Sequence, residues 1–474
     1  MNRHLFFLLV GITVVLSGCN LTPQYTRPDA PIAADWPTGA AYQETKAMPG
    51  TPTATEISWR EFFTDERLQQ IIDTALNNNR DLRLAALNVE RARALYGIQR
   101  AELFPSVNAV GNWVKTRVPA DISGKEVAPT IEQYDVSLGI ASWEIDFFGR
   151  IRSLKDQALE QYLATEEARR SAQILLVSSV VNAYLSLAAD RENLRLGEIT
   201  LEAQKSAYDL IKRRYDAGLA SELALNQAQT QVDTARRNIA VFMQLVAQDE
   251  NALNLLVGSP SPVPSELMPA DLDSVSPPKE ISPGLASDVL LIRPDIMAAE
   301  HQLKAANALI GAARAAFFPR IALTTAFGTA SGELSGLFKS GQDAWTFAPQ
   351  IIMPIFDARL WSAYDATKVE KEIALAQYEK AIQAAFREVA DALAVRGTAD
   401  QQLSAQQSLV DAFARTYRIS VARYTKGIDS YLGVLDAQRS LYTAQQALIL
   451  LRLGKLANQV RLYAVLGGGS DHPM

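Results

Sequence analysis

Little in these 474 residues supports catalysis. There is one cysteine, Cys19, so no intrachain disulfide forms. The three histidines, His4, His301 and His472, lie at the two ends and in the middle, so one chain does not gather them into a metal site. No His-Glu-x-x-His, Gly-x-Ser-x-Gly, P-loop or Rossmann glycine pattern occurs. The sequence therefore implies no enzyme, no catalytic residue and no metal centre. Basic charge is also short. Net charge is -6 and pI is near 5.4, which argues against a nucleic-acid partner. Proline is missing from Thr130 to Ser259 and from Ile355 to His472. Interior proline breaks helices, so these gaps permit very long ones. Prolines cluster instead in 22–52 and 260–283, which read as extended segments that connect or wrap. Hydrophobic residues make up 48%, which is ample for a core and far from disorder.

The N-terminus reads as an address. Arg3 and His4 precede an apolar run from Leu5 to Leu16, broken only by Thr13. That run is too short for a bilayer core of ~30 Å and suits a secretory signal. It ends in Leu16-Ser17-Gly18-Cys19, which resembles a bacterial lipobox. The resemblance implies cleavage before Cys19 and an N-acyl diglyceride on it. By the same resemblance to enteric lipoproteins, whose inner-membrane retention signal is aspartate at this position, Asn20 implies the outer membrane.

The body is a tandem duplication. Arg100-Ala-Glu-Leu-Phe-Pro105 recurs 214 positions later as Arg314-Ala-Ala-Phe-Phe-Pro319. Arg214-Tyr215-Asp-Ala-Gly218 recurs 209 positions later as Arg423-Tyr424-Thr-Lys-Gly427. In copy one we expect helices over Leu68–Leu103, Arg150–Asp216 and Glu222–Val257, the last capped by Ser221. Copy two repeats them over Leu285–Phe317, Arg359–Tyr424 and Tyr431–Leu466. At ~1.5 Å per residue the middle helix reaches ~100 Å, about the sum of its two neighbours. Val434, Ala437, Leu441, Ala444, Leu448 and Leu451 keep a 3-4-3-4-3 spacing, and so do Leu225, Ala228, Val232, Ala235, Ile239 and Phe242. Such stripes are coiled-coil seams. Gly467 to Gly469 reads as a helix stop and a flexible tail.

Each copy also holds two β-like runs after its Phe-Pro transition, at Pro105 and Pro319. Tyr134, Val136, Leu138 and Ile140 alternate with Asp135, Ser137, Gly139 and Ala141. Ile321 to Phe327 and Trp345 to Met353 alternate likewise, and Val107 to Trp113 more weakly. One apolar, aromatic face against a small or polar one is the pattern of a transmembrane β-barrel, and equally of a half-buried soluble hairpin. Four strands do not close a barrel, and open edges do not face lipid. If they span a membrane, three chains would supply about twelve strands.

The lipobox, the duplicated Phe-Pro transitions, the Arg-Tyr-x-x-Gly turns and Tyr431-Leu-Gly-Val-Leu-Asp-Ala-Gln438 together resemble the outer membrane factor family. The similarity is to its lipoprotein OprM-like branch, with TolC more distant. It implies an α+β membrane protein: a homotrimeric, twelve-stranded transmembrane β-barrel continuous with a periplasmic twelve-helix α-barrel. It implies a passive outer-membrane exit duct for drugs and toxic amphiphiles. Its partners would be a periplasmic adaptor (membrane fusion protein), an inner-membrane RND transporter and outer-membrane lipid. No cofactor is implied beyond the lipid on Cys19. The family's periplasmic gate maps onto Leu432 and Asp436, with a weak cation site at an Asp436 ring. Tyr424 matches a TolC tip tyrosine whose acidic partner falls here on Ala224. That leaves Arg423, Arg214 and Asp216 as further closure candidates, beside the tip turns Gly218 and Gly427. A duct for type I protein secretion, or a lipid-anchored periplasmic coiled-coil scaffold, remains as an alternative.

The expected organisation is a signal peptide over 1–18 and an anchored extended segment over 19–59. Repeat one covers 60–258, with its hairpin at about 105–148. A proline-rich connector at 259–284, in the equatorial region, leads to repeat two over 285–468, with its hairpin at about 319–356. A tail covers 469–474.

Overall fold

A computed structural model describes residues 20–42, 51–124, 126–283 and 290–469. Cys19 and the signal segment lie outside the described residues. Seven principal helices and four strands follow in order: α1 (Glu66–Asn78), α2 (Arg80–Ala101), β1 (Val107–Arg117), β2 (Thr130–Ile145), α3 (Arg150–Asp216), α4 (Glu222–Val257), α5 (Pro294–Ala315), β3 (Arg320–Ser331), β4 (Asp343–Ile352), α6 (Ala358–Thr425) and α7 (Tyr431–Val465). The proline-free stretches become α3 and α6, of 67 and 68 residues. The chain packs as two compact units, and each draws segments from both sequence repeats.

Unit 1 comprises residues up to Asp29, Asn88–Thr165 and Ala298–Tyr378. It holds the sheet, antiparallel in the order β1-β2-β3-β4. Both outer edges are open, and the apolar face is exposed at Trp113, Leu138, Phe327, Trp345, Phe347 and Ile351. Strands β2 and β3 approach closely at Gly328, where a Cβ would sit 2.0 Å from the Val136 carbonyl oxygen and 2.6 Å from the Ser137 Cα.

The same unit pins the N-terminal segment onto α5. Arg314 Nη1 donates to Leu21 O at 3.3 Å and Asn307 Nδ2 to Pro23 O at 2.8 Å. Glu300, nearly fully buried, accepts from Tyr25 at 3.2 Å and from Arg27 at 3.1 and 2.5 Å, and pairs with Lys304 at 3.0 Å. Gly311 lets the segment lie flat, because a Cβ there would meet Thr22 Oγ1 at 2.2 Å. Its counterpart in copy one, Gly97, has nothing within 4 Å. His301 pairs with Glu160 at 2.6 Å, a packing role.

Unit 2 comprises Ala30–Leu87, Glu166–Met297 and Glu379 to the end of the described chain. It corrects three expectations. The single first helix of copy one is two helices. Asn79 takes extended backbone between them, its Oδ1 accepts the Leu82 N–H at 2.9 Å, and its Nδ2 donates to Leu256 O at 2.8 Å. The expected first helix of copy two is also interrupted: Leu290 is helical, the chain leaves helix over 291–293, and the long helix begins at Pro294. Proline disfavours helical backbone at Arg293 and suits the first helical position. Gly467 to Gly469 are buried rather than a loose tail. Gly468 and Gly469 lie over Tyr463, which stacks on Phe62 with 4.0 Å between ring centroids and donates its hydroxyl to Ile57 O at 3.0 Å. Among the described helices, α3 alone has an apolar stretch long enough to cross a membrane, and 50% of that stretch is buried, as in a core helix.

Candidate functional site

The gate and tip-closure residues singled out from the sequence gather at two helical turns, both in unit 2, while the helix–strand transitions Pro105 and Pro319 lie in unit 1. α3 gives way to α4 through Gly218, and α6 to α7 through Gly427, with φ of +72° and +74°. Side chains resist this left-handed conformation, which suits helix-ending glycines. The two turns close alike. Leu219 N–H donates to Arg214 O at 2.7 Å, and Ile428 N–H to Arg423 O at 3.0 Å. The Ser221 hydroxyl accepts the Ala224 N–H at 3.2 Å, the expected cap.

Behind the turns, Ile211, Ala228, Tyr431, Val434 and Leu435 form a buried core, with Tyr208, Tyr417 and Tyr424 packed against it. This core fixes which way α7 faces. Leu432 is 52% exposed and the Asp436 side chain 56%. Four-residue spacing puts the two on one helix face, and that face is open. Asp436 is not a bare carboxylate, because Arg439, three residues on, pairs with it at 2.5 Å. The signal for Arg439 in the sequence is its i, i+3 spacing from Asp436 within a helix.

The closure candidates separate. Arg423 forks onto Asp429 across its own turn, Nε to Oδ2 at 2.5 Å and Nη2 to Oδ1 at 3.1 Å. This guanidinium holds the Asp429 carboxyl below its usual range. In copy one the position equivalent to Asp429 is Ala220. Arg214, without that partner, lies over the Tyr424 ring at 5.0 Å from its centroid. Tyr424 meets Tyr431 with 5.2 Å between centroids. Burial pushes the Tyr431 hydroxyl up to about 12, and among the described residues it has no hydrogen-bond partner. Asp216 enters none of these contacts. Among the described residues no cluster of three or more metal-ligating side chains forms.

Comparison with known proteins agrees with this geometry. A family model for outer membrane efflux proteins matches twice, over residues 71–259 and 285–468. A toluene efflux pump outer membrane protein of Pseudomonas putida, TtgC, is 49% identical over 99% of this chain and 96% of its own. The antibiotic efflux pump outer membrane protein ArpC of Pseudomonas putida shows the same identity and coverage. The open-state MtrE outer membrane channel of Neisseria gonorrhoeae is 36% identical and superposes with a TM-score of 0.84, covering 95% of this chain and 98% of that one. Four strands with two open edges and two pairs of long helices are one third of the family's trimeric barrel. These are channels rather than enzymes, and the scaffold alternative falls. The chain thus belongs to the outer membrane efflux protein family and serves as an outer-membrane efflux duct.

Proposed function

We propose that this duct is the last component of a tripartite pump. An RND-type inner-membrane transporter loads small amphiphilic toxicants, and a periplasmic adaptor couples it to the channel. The relatives named for toluene and antibiotic efflux support that solute class. The observation that carries the gating reading is the open α7 face bearing Leu432 and Asp436 over a buried tyrosine core. Threefold repetition makes Leu432 an apolar constriction. Three Asp436 carboxylates alone would repel one another and collect cations. Arg439 beside each one offsets that charge, so the cation preference is weaker than an acidic ring would give. Both side chains are more than half exposed, so salt screens the pair further.

Planar bilayers test this. Leu432→Ala combined with Asp436→Ala is expected to raise single-channel conductance, and Arg439→Ala to raise cation over anion permeability. An unchanged conductance in the first variant would remove Leu432 and Asp436 from the gate.

The same reading places an acyl glyceride on Cys19. Cys19→Ser is expected to abolish incorporation of labelled palmitate while the protein still fractionates with the outer membrane. Complete loss from that fraction would mean that the anchor, not the barrel, holds the protein there.

A further inference from the structure

A groove runs along α3 between α4 and α7, all within unit 2. Its volume is about 380 Å³, inside the range of small-molecule sites, ~300–1,000 Å³. It adjoins the gate face, because Arg439 lines it and pairs with Asp436. The walls are polar but nearly uncharged. Thr200 and Gln204 come from α3, Gln231 and Asn238 from α4, and Tyr442 and Gln446 from α7. Arg439 is the only charged lining side chain, and Asp436 neutralises it.

The lining is incompletely satisfied. Gln204 is 4% exposed and Gln438, also in the wall, 7%. Gln204 Oε1 has no hydrogen-bond partner among the described residues. A buried acceptor left unpaired is costly, and a donor arriving from the groove removes that cost. The Tyr442 hydroxyl accepts from Gln446 Nε2 at 3.3 Å, which leaves its own proton for another acceptor. Packing does not require this polarity. At the offset of 209, Thr200, Gln204 and Asn238 correspond to Leu409, Phe413 and Ala447. Gly197 in the groove floor corresponds to Gln406, which reaches across to Ala444 O at 2.8 Å. Copy two bridges its gap with its own side chain, and copy one leaves the gap open.

We propose that this groove binds a neutral solute rich in hydroxyl and amide groups, of the class of an N-acetylated disaccharide. Carboxamides and hydroxyls match such a solute donor for acceptor, and Tyr442 adds an apolar ring with a polar tip. The neutralised lining offers no counter-charge to an ion. A purely apolar solute brings no donor to Gln204, so the groove discriminates against it. The place of the groove on the conduction path rests on Leu432 and Asp436 being the gate; the binding itself does not.

Saturation-transfer NMR tests the binding, with N,N′-diacetylchitobiose as the probe and purified full-length trimers in a sugar-free detergent. The wild type is expected to transfer saturation to the acetamide methyls and ring protons. Gln204→Leu keeps the bulk and removes the acceptor. It is expected to weaken binding about tenfold, the worth of one hydrogen bond, and to melt no lower than the wild type because the orphaned acceptor is gone. No transfer from a folded wild-type trimer means that the groove holds water only and overturns the proposal. Wild-type affinity in Gln204→Leu also overturns it. Planar bilayers separate the site from the gate. Diacetylchitobiose is expected to interrupt the wild-type current. Binding without interruption supports the site and overturns instead the placement of this α7 face in the conduction path.

Discussion

Gly328→Val is expected to abolish the folded trimer. The added Cβ would lie 2.0 Å from the Val136 carbonyl oxygen and 2.6 Å from the Ser137 Cα, both on the facing strand. Ordinary overpacking costs ~1–3 kcal/mol because side chains give way. Here the obstacle is backbone in a hydrogen-bonded ladder, so β2 and β3 must part or slip. A one-residue slip would also turn the apolar face inward. The readout is the trimer captured by chemical cross-linking in outer-membrane fractions, which should disappear. Gly97→Ala is the matched control. Nothing lies within 4 Å of it, and alanine in a helix interior is favoured by ~0.8–1 kcal/mol. A wild-type level of trimer in Gly328→Val would show that the close approach between the strands is not obligatory.

Glu300→Ala is expected to free the N-terminal segment while leaving the channel folded. Burial pushes this carboxyl up, but hydrogen bonds from Arg27 and Lys304, with their charges, hold it below the ordinary glutamate value. Removing one partner of a buried ion pair costs ~3–5 kcal/mol. Arg27 is half exposed and recovers water, so the lower end applies. About 3 kcal/mol corresponds to roughly 100-fold more frequent release. Chymotrypsin cleavage after Tyr25 should accelerate by a similar factor, and an unchanged rate would mean that the other contacts hold the segment alone. The pH dependence has a definite sign. A lowered folded value stabilises the anchor above the unfolded glutamate value of about 4.3. That stability is lost as pH falls through the lower folded value.

Much of the architecture was legible because long helices announce themselves by what they exclude. Proline-free stretches gave α3 and α6 to within a residue of their ends. The strands were legible because exposed aromatics alternate with small residues. The break at Asn79 was not, since its side chain is held by Leu256, 177 positions away. Copy two contained the clue. The repeat offset maps Asn79-Arg80 onto Arg293-Pro294, so the proline that starts α5 also marks the start of α2. At the turns, α7 could be oriented from Leu432 and Asp436, but the partners could not. Arg423 reaches Asp429 only because Gly427 reverses the chain between them. Arg214 reaches Tyr424 only because its own turn has Ala220 where copy two has Asp429.

The open edges of the sheet have a consequence in time. A newly secreted chain crosses the periplasm with β1 and β4 both unpaired. Such edges are templates for aggregation until they are covered. Two further copies must arrive before the ladder closes, and that wait lengthens as the chain becomes scarce. Sparse synthesis therefore exposes each molecule longer than abundant synthesis does. The strain on periplasmic chaperones is set by this waiting time rather than by the stability of the finished barrel.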